Sequence, residues 1–170
     1  GAGLAAVWAD VEVVLVHGAA RALTPPEVFD RVIRAVDAGS AAAVPVLPVV
    51  DTLKRVDGAI VVGAVDRAEL AAAQTPQGFR RDVLETAYRV ADIDHTDDAA
   101  LVAAAGHAVT TVAGSERAFK ITTPADLERA RALVADAPAA ARVAAASAPP
   151  LRVGVGTAVH AFGGGGPLWL

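Results

Sequence analysis

The chain has 170 residues, of which 54% are hydrophobic, carries a formal charge of −4 at pH 7 and contains no cysteine. Such a length holds one globular domain of about 100–150 residues plus an appendage. The negative charge argues against a broad nucleic-acid surface, and the missing cysteines exclude a disulfide framework and thiolate chemistry and fit a cytoplasmic protein. Hydrophobicity is carried by Ala and Val, and Asp, Arg and Pro interrupt it before the ~18 consecutive apolar residues of a membrane span. No basic segment followed by an apolar run announces a secretory leader.

In chain order, Val11–Val16 is a β-branched run expected to form a central parallel strand covered on both faces, ending at His17-Gly18. Thr24-Pro25-Pro26-Glu27 supplies an N-cap, a proline for the first turn and a capping-box glutamate, and Val28, Val32, Ile33 and Val36 follow at helical spacing to Gly39. Ala43–Leu47 is the next strand, completing a βαβ pattern. Its prolines, Pro45 and Pro48, predict irregular pairing. From Asp51 to Arg67 the pattern becomes a hairpin around Asp57-Gly58. Its apolar Ala59–Val62 has no partner of its own and calls for one, such as another subunit.

Thr75-Pro76-Gln77-Gly78-Phe79 reads as a loop that holds a ligand, or alternatively as an ordinary helix-entry turn. A helix over Asp82–Val90 follows. His95-Thr96-Asp97-Asp98 caps another over Ala99–Ala105, stopped by Gly106. Ala108–Val112 and Ala118–Thr122 are expected strands, and Thr123-Pro124-Ala125-Asp126 caps a last helix carrying Leu127, Ala130, Leu133 and Val134. The division expected is a domain over 1–135, an Ala/Pro-rich linker over 136–150, and the opening of a second, truncated domain over 151–170, since about twenty residues form no core alone.

Six polar islands stand in order: His17–Arg21, Asp51–Lys54, Asp66-Arg67, Thr75–Phe79, Thr96–Ala99 and Lys120–Thr122. Together they resemble 2-C-methyl-D-erythritol 4-phosphate cytidylyltransferases, over roughly Gly3 to Val134, corresponding to the latter part of that family's domain. The tail Arg152–Gly163 resembles the start of 2-C-methyl-D-erythritol 2,4-cyclodiphosphate synthase, a partner enzyme of the same isoprenoid route that occurs fused to it in some bacteria.

The resemblance implies an α/β, Rossmann-like nucleotidyltransferase fold: three layers around a mostly parallel sheet, incomplete at its N-terminus, with a protruding β-hairpin arm. It implies transfer of a cytidylyl group from CTP to methylerythritol phosphate, with Mg²⁺ and release of pyrophosphate. Positioning and charge neutralisation dominate such chemistry. Arg21 and Lys120 then supply catalytic positive charge, Thr52, Arg67 and Thr75 bind substrate, and the Gly18 and Ala19 backbone lies near the CTP and metal position. The arm would reach a second subunit and make a homodimer, with no nucleic acid or membrane as partner.

Blander readings stand beside these: Arg67 as a surface arginine, Lys120 as an edge lysine, Arg21 as a loop cap, Asp97 and Asp98 as helix N-terminal charges, and His17 as a satisfied histidine. The chain also departs from the family. Its glycine-rich CTP loop is expected to be missing, Gly18 stands where the family has a metal-binding aspartate, and Ala158 replaces one of two zinc ligands of the synthase, leaving His160. Two alternatives therefore remain: an inactive substrate-binding or dimerisation module, and another sugar-phosphate nucleotidyltransferase.

Overall fold

In a computed structural model, residues 4, 6–8, 10–91 and 95–135 are described. The expected linker and synthase-like tail, with His160 and Ala158, lie outside them. The chain divides into two compact units, Glu12–Phe119 and the remainder.

The larger unit is built on a five-stranded sheet. β1 (Val13–Val16) pairs antiparallel with β6 (Gln77–Arg80), which in turn pairs antiparallel with the start of β2 (Ala42–Pro48). Farther along β2, the short β5 (Ala71–Ala73) is antiparallel to it, and on its other side β7 (Val109–Ala113) runs parallel. β1, β2 and β7 therefore share one direction, but β6 runs against them between β1 and β2. The α/β, Rossmann-like expectation holds, with the pairing mixed: β1 is the end strand of the described sheet, and its partner is antiparallel.

The segment Thr75–Phe79 is thus no simple loop. A cis Thr75–Pro76 peptide delivers the chain into β6, buried at Gln77, Gly78 and Phe79. Glycine is needed at 78 because helix α1 (Pro26–Asp37) packs directly over it: a Cβ there would overlap Val32 Cγ1 and lie 3.0 Å from Leu15 Cδ2. Val32, Val36 and Ala43 form the core beneath α1, with Val13, Leu15, Ala35 and Val112 against them. By the alternation of the pleat, Phe79 faces the other side. It is fully buried, and α2 (Arg81–Val90) and α3 (Asp98–Ala104) pack against β6 and β2 respectively.

Local caps match these elements. α1 starts at Pro25 without a side-chain cap; Thr24 instead donates its hydroxyl to the Arg21 carbonyl, since the rigid prolines set the entry geometry. At α3, the Asp97 carboxylate accepts from Ala100 N, so Asp97 is a helix cap, while the Gln77 carboxamide donates to Asp97 and accepts from Ala99 N. The expected strand Ala118–Thr122 is not formed: Glu116–Ala118 is a 3₁₀ turn capped by Ser115, and Phe119–Thr122 pair with no strand.

β3 (Lys54–Asp57) and β4 (Ile60–Ala64) form the separate two-stranded arm, turning at Asp57-Gly58, with a register irregularity between Arg55 and Val56. Val56, Ile60, Val61 and Val62 are all exposed.

In the smaller unit, α4 (Pro124–Ala135) begins with a reciprocal cap. Asp126 accepts from Thr122 N and Thr123 N, while Asp126 N donates to Thr123 Oγ1.

Candidate functional site

The strand directions bring two of the polar islands, His17–Arg21 and Thr75–Phe79, together at one end of the sheet. β1, β2 and β7 end there, at Val16, Pro48 and Ala113, and the antiparallel β6 begins there at Gln77, two residues after Thr75. Ligands of open α/β sheets occupy this crevice beyond the carboxyl ends of the strands.

Thr75 is the hub. Gly18 N donates to its hydroxyl oxygen at 3.0 Å, and the same oxygen lies 3.0 Å from His17 Nδ1. The His17 ring leans on Phe29, with ring centroids 5.0 Å apart. Partial burial holds the His17 imidazolium below its ordinary range; a hydrogen bond with the Arg21 backbone works against this shift, and the nearby Arg21 guanidinium adds to it. A neutral His17 at pH 7 can accept the Thr75 hydroxyl proton at Nδ1, so the three groups form one directional chain.

Arg21 closes the cluster. Its Nη1 donates to the Ala118 carbonyl at 2.6 Å and its Nη2 to the Ala73 carbonyl at 3.3 Å. The guanidinium thereby ties the end of β5 to the 3₁₀ turn after β7, while burial lowers its pKa. Two of its five donors are committed to backbone, and the others define what it can offer an anion.

The remaining expected residues fall in different places. Arg67, exposed, donates Nη1 to the Val50 carbonyl and closes the base of the arm, where Thr52 is also exposed. Ala19 opens the 3₁₀ turn Ala19–Arg21 after Gly18. Lys120, exposed, belongs to the smaller unit. The larger unit therefore brings together Gly18, Ala19, Arg21 and Thr75, and holds Thr52 and Arg67 at the arm.

The sequence profile of the 2-C-methyl-D-erythritol 4-phosphate cytidylyltransferases (IspD) matches residues 1–136. The chain belongs to that family. The bifunctional enzyme IspD/IspF of Clavibacter michiganensis is 53% identical across 171 aligned positions, which cover 99% of this chain and 40% of that protein. A 2-C-methyl-D-erythritol 4-phosphate cytidylyltransferase of Frankia casuarinae is 57% identical over 133 residues, 78% of this chain and 50% of that protein. The crystal structure of the Thermus thermophilus cytidylyltransferase superposes with a TM-score of 0.72 at 41% identity, covering 78% of this chain and 65% of that one. The chain thus spans half or less of the length of these two curated relatives.

The turn after β1 presents a small donor set. It offers a backbone N–H at Gly18, already given to Thr75, with a hydroxyl and an imidazole but no carboxylate. Among the described residues no group of three or more His, Asp or Glu gathers as a ligand set. Magnesium prefers hard oxygen ligands, often carboxylates, so these residues do not fit a protein-held ion.

Sequence reasoning overlooked Gln74 and Ser115 in this region of the cytidylyltransferase fold. Gln74 Nε2 donates to the Ser115 carbonyl and Gln74 Oε1 accepts from Ser115 N, both at 2.9 Å. The available signal was a single amide at the end of an alanine run, next to Thr75.

Proposed function

We propose that this chain is the substrate-side part of an enzyme that transfers a cytidylyl group from CTP to 2-C-methyl-D-erythritol 4-phosphate. In the reaction, a phosphate oxygen of methylerythritol phosphate attacks the α-phosphorus of CTP, the new O–P bond forms, the bond to the β-phosphate bridge oxygen breaks, and pyrophosphate leaves. The observation that carries this reading is the family match over residues 1–136, which includes the whole Thr75–Gly18–Arg21 cluster.

In this reading Thr75, Thr52 and Arg67 hold the substrate phosphate, the Thr75 hydroxyl turning its single proton from His17 Nδ1 to a phosphate oxygen when the substrate binds. Arg21 meets the charge that builds on the phosphate oxygens; for Lys120, in the smaller unit, the same role rests on the family resemblance alone. Gly18 N–H is already engaged, which leaves the nucleotide side of the turn to Ala19. CTP arrives with a divalent ion held by its own phosphates. The exposed apolar arm, with Ile60 67% exposed, packs on a second copy in a homodimer. No helix among the described residues is long and apolar enough to cross a membrane, and we assign the enzyme to the cytoplasm. Alignment of 99% of the chain with a bifunctional relative supports a linker over 136–150 and a synthase domain opening at 151, where His160 is the remaining metal-ligand candidate.

Titration of the chain with methylerythritol phosphate tests this reading. Saturable binding weakened by Arg67→Ala and Thr75→Val supports it; no saturation at millimolar ligand overturns it.

A further inference from the structure

We propose that Gln74 is a positioning residue for the substrate side of this site, acting through Thr75. The proposal rests on the reading of Thr75 as a substrate ligand. Gln74 is only 4% exposed, yet its side chain is polar, and both ends of its carboxamide are used. Nε2 donates to the Ser115 carbonyl and Oε1 accepts from Ser115 N, each at 2.9 Å, so the side chain pairs with one residue as a neighbouring strand would.

The rest of the local structure is arranged around this pairing. Gln74 N donates to the Pro45 carbonyl at 2.8 Å, and Gly114 N donates to the Val46 carbonyl at 2.9 Å. The peptide before Thr75 and the turn after β7 are therefore both fastened to consecutive positions of β2, and the amide joins them across the gap. A Cβ on Gly114 would overlap Gln74 Oε1, so a glycine makes room for the amide. Arg21 adds a second tie between the same two segments, from Ala73 to Ala118. Pinned on both sides, the peptide at Ala73–Gln74 fixes where Thr75 presents its hydroxyl to Gly18 and His17.

A packing residue at 74 and a positioning residue at 74 make different predictions. Gln74→Met keeps the length and volume but forms neither amide bond; Gln74→Glu keeps an acceptor for Ser115 N but sets a carboxylate against the Ser115 carbonyl. Both are compared with wild type, in the full chain, by amide hydrogen exchange, by the imidazole NMR signals of His17, and by binding of methylerythritol 4-phosphate. In Gln74→Met we expect Ser115 N–H to exchange at least roughly tenfold faster, as for a lost buried hydrogen bond, and the His17 ring signals to shift. Binding should weaken about tenfold in the Thr75 background and remain unchanged by the same substitution in a Thr75→Val background. Should Gln74→Met fail to fold, Gln74→Glu carries the test: Ser115 N–H stays protected while the His17 signals still shift. Unaltered His17 signals in the folded variants, or an equal loss of binding with and without the Thr75 hydroxyl, would overturn the proposal. If wild type itself does not bind the phosphate, the substrate reading fails, and positioning is then decided by the Ser115 and His17 signals alone.

Discussion

Gln77 reaches from the middle of the sheet to the first turn of α3, where its amide nitrogen donates to the Asp97 carboxylate at 2.8 Å. Its amide oxygen accepts from Ala99 N at 3.1 Å, so one buried side chain holds both the capping carboxylate and an otherwise orphaned helix N–H. Gln77→Ala is expected to destabilise the protein by about 1–3 kcal/mol through unpaired buried groups. Chemical denaturation measures it, and a midpoint equal to wild type would remove Gln77 from the stabilising set.

Two glycines near the site should respond oppositely to alanine. Gly78→Ala forces a methyl into Val32 beneath α1 and should cost about 1–3 kcal/mol by overpacking. Gly18 has φ −81° and ψ 119°, and a Cβ there meets only Thr75 Oγ1, at 3.6 Å. Gly18→Ala should therefore gain about 0.4–1 kcal/mol by restricting the unfolded chain. Thermal melts of the pair give the two signs directly; destabilisation by both would refute the clearance at position 18.

His17 predicts a pH dependence of stability. Its folded pKa lies below the unfolded value, because burial disfavours the imidazolium, so the unfolded chain takes up the proton first. The contribution of neutral His17 is full above the unfolded pKa of about 6.5 and is lost as pH falls through the lower folded value. Melting temperatures of wild type and His17→Gln, measured from pH 7.5 downward, should converge across that window. Parallel curves would exclude the coupling.

Tyr88 is the only tyrosine in the chain and offers an isolated optical signal. Burial raises its pKa, and the hydrogen bond to the Asp98 carboxylate and that group's charge raise it further, to about 12. Its share of stability is present below the unfolded pKa of about 10 and is lost as pH rises through the folded value. Absorbance titration should give a midpoint near pH 12, with Asp98→Asn moving it downward; a midpoint near 10 in wild type would deny the pairing.

The arm predicts an association state. Ile60→Asp or Val62→Asp places a charge on an exposed apolar strand and should convert a dimer to a monomer in light scattering after gel filtration, without altering the melting of the core. A wild-type chain that is monomeric at micromolar concentration defeats the dimer proposal.

Much of this architecture was legible from pattern. Helix α1 announces itself by Val28, Val32 and Val36, all buried as their spacing requires, and Asp57-Gly58 marks the arm. What escaped is governed by partners distant in sequence. Gly78 and Gln77 look like loop residues, yet the glycine makes room for α1 and the glutamine satisfies α3, so their segment is a buried strand. Ala71–Ala73 carries no strand signal because its place is set by pairing with β2. Ala118–Thr122 is apolar enough for a strand, but Arg21 and Ser115 hold its beginning as a turn. Within the site, Thr75 and Arg21 were legible as polar islands. The spatial junction of Gln74 with Ser115, 41 positions apart, was not.

The opposed course of β6 has a consequence for how such a protein can change. Its neighbours deliver their last residues to one end of the sheet, whereas β6 delivers its first, so Thr75 reaches that end from the opposite chain direction to His17. The polar groups gathered there, His17, Gly18, Arg21 and Thr75, sit outside the strand ladders, and those that hold the sheet sit inside them. Residues 17–21 and Thr75 can then change while the pairings beneath Val32 and Phe79 stay fixed.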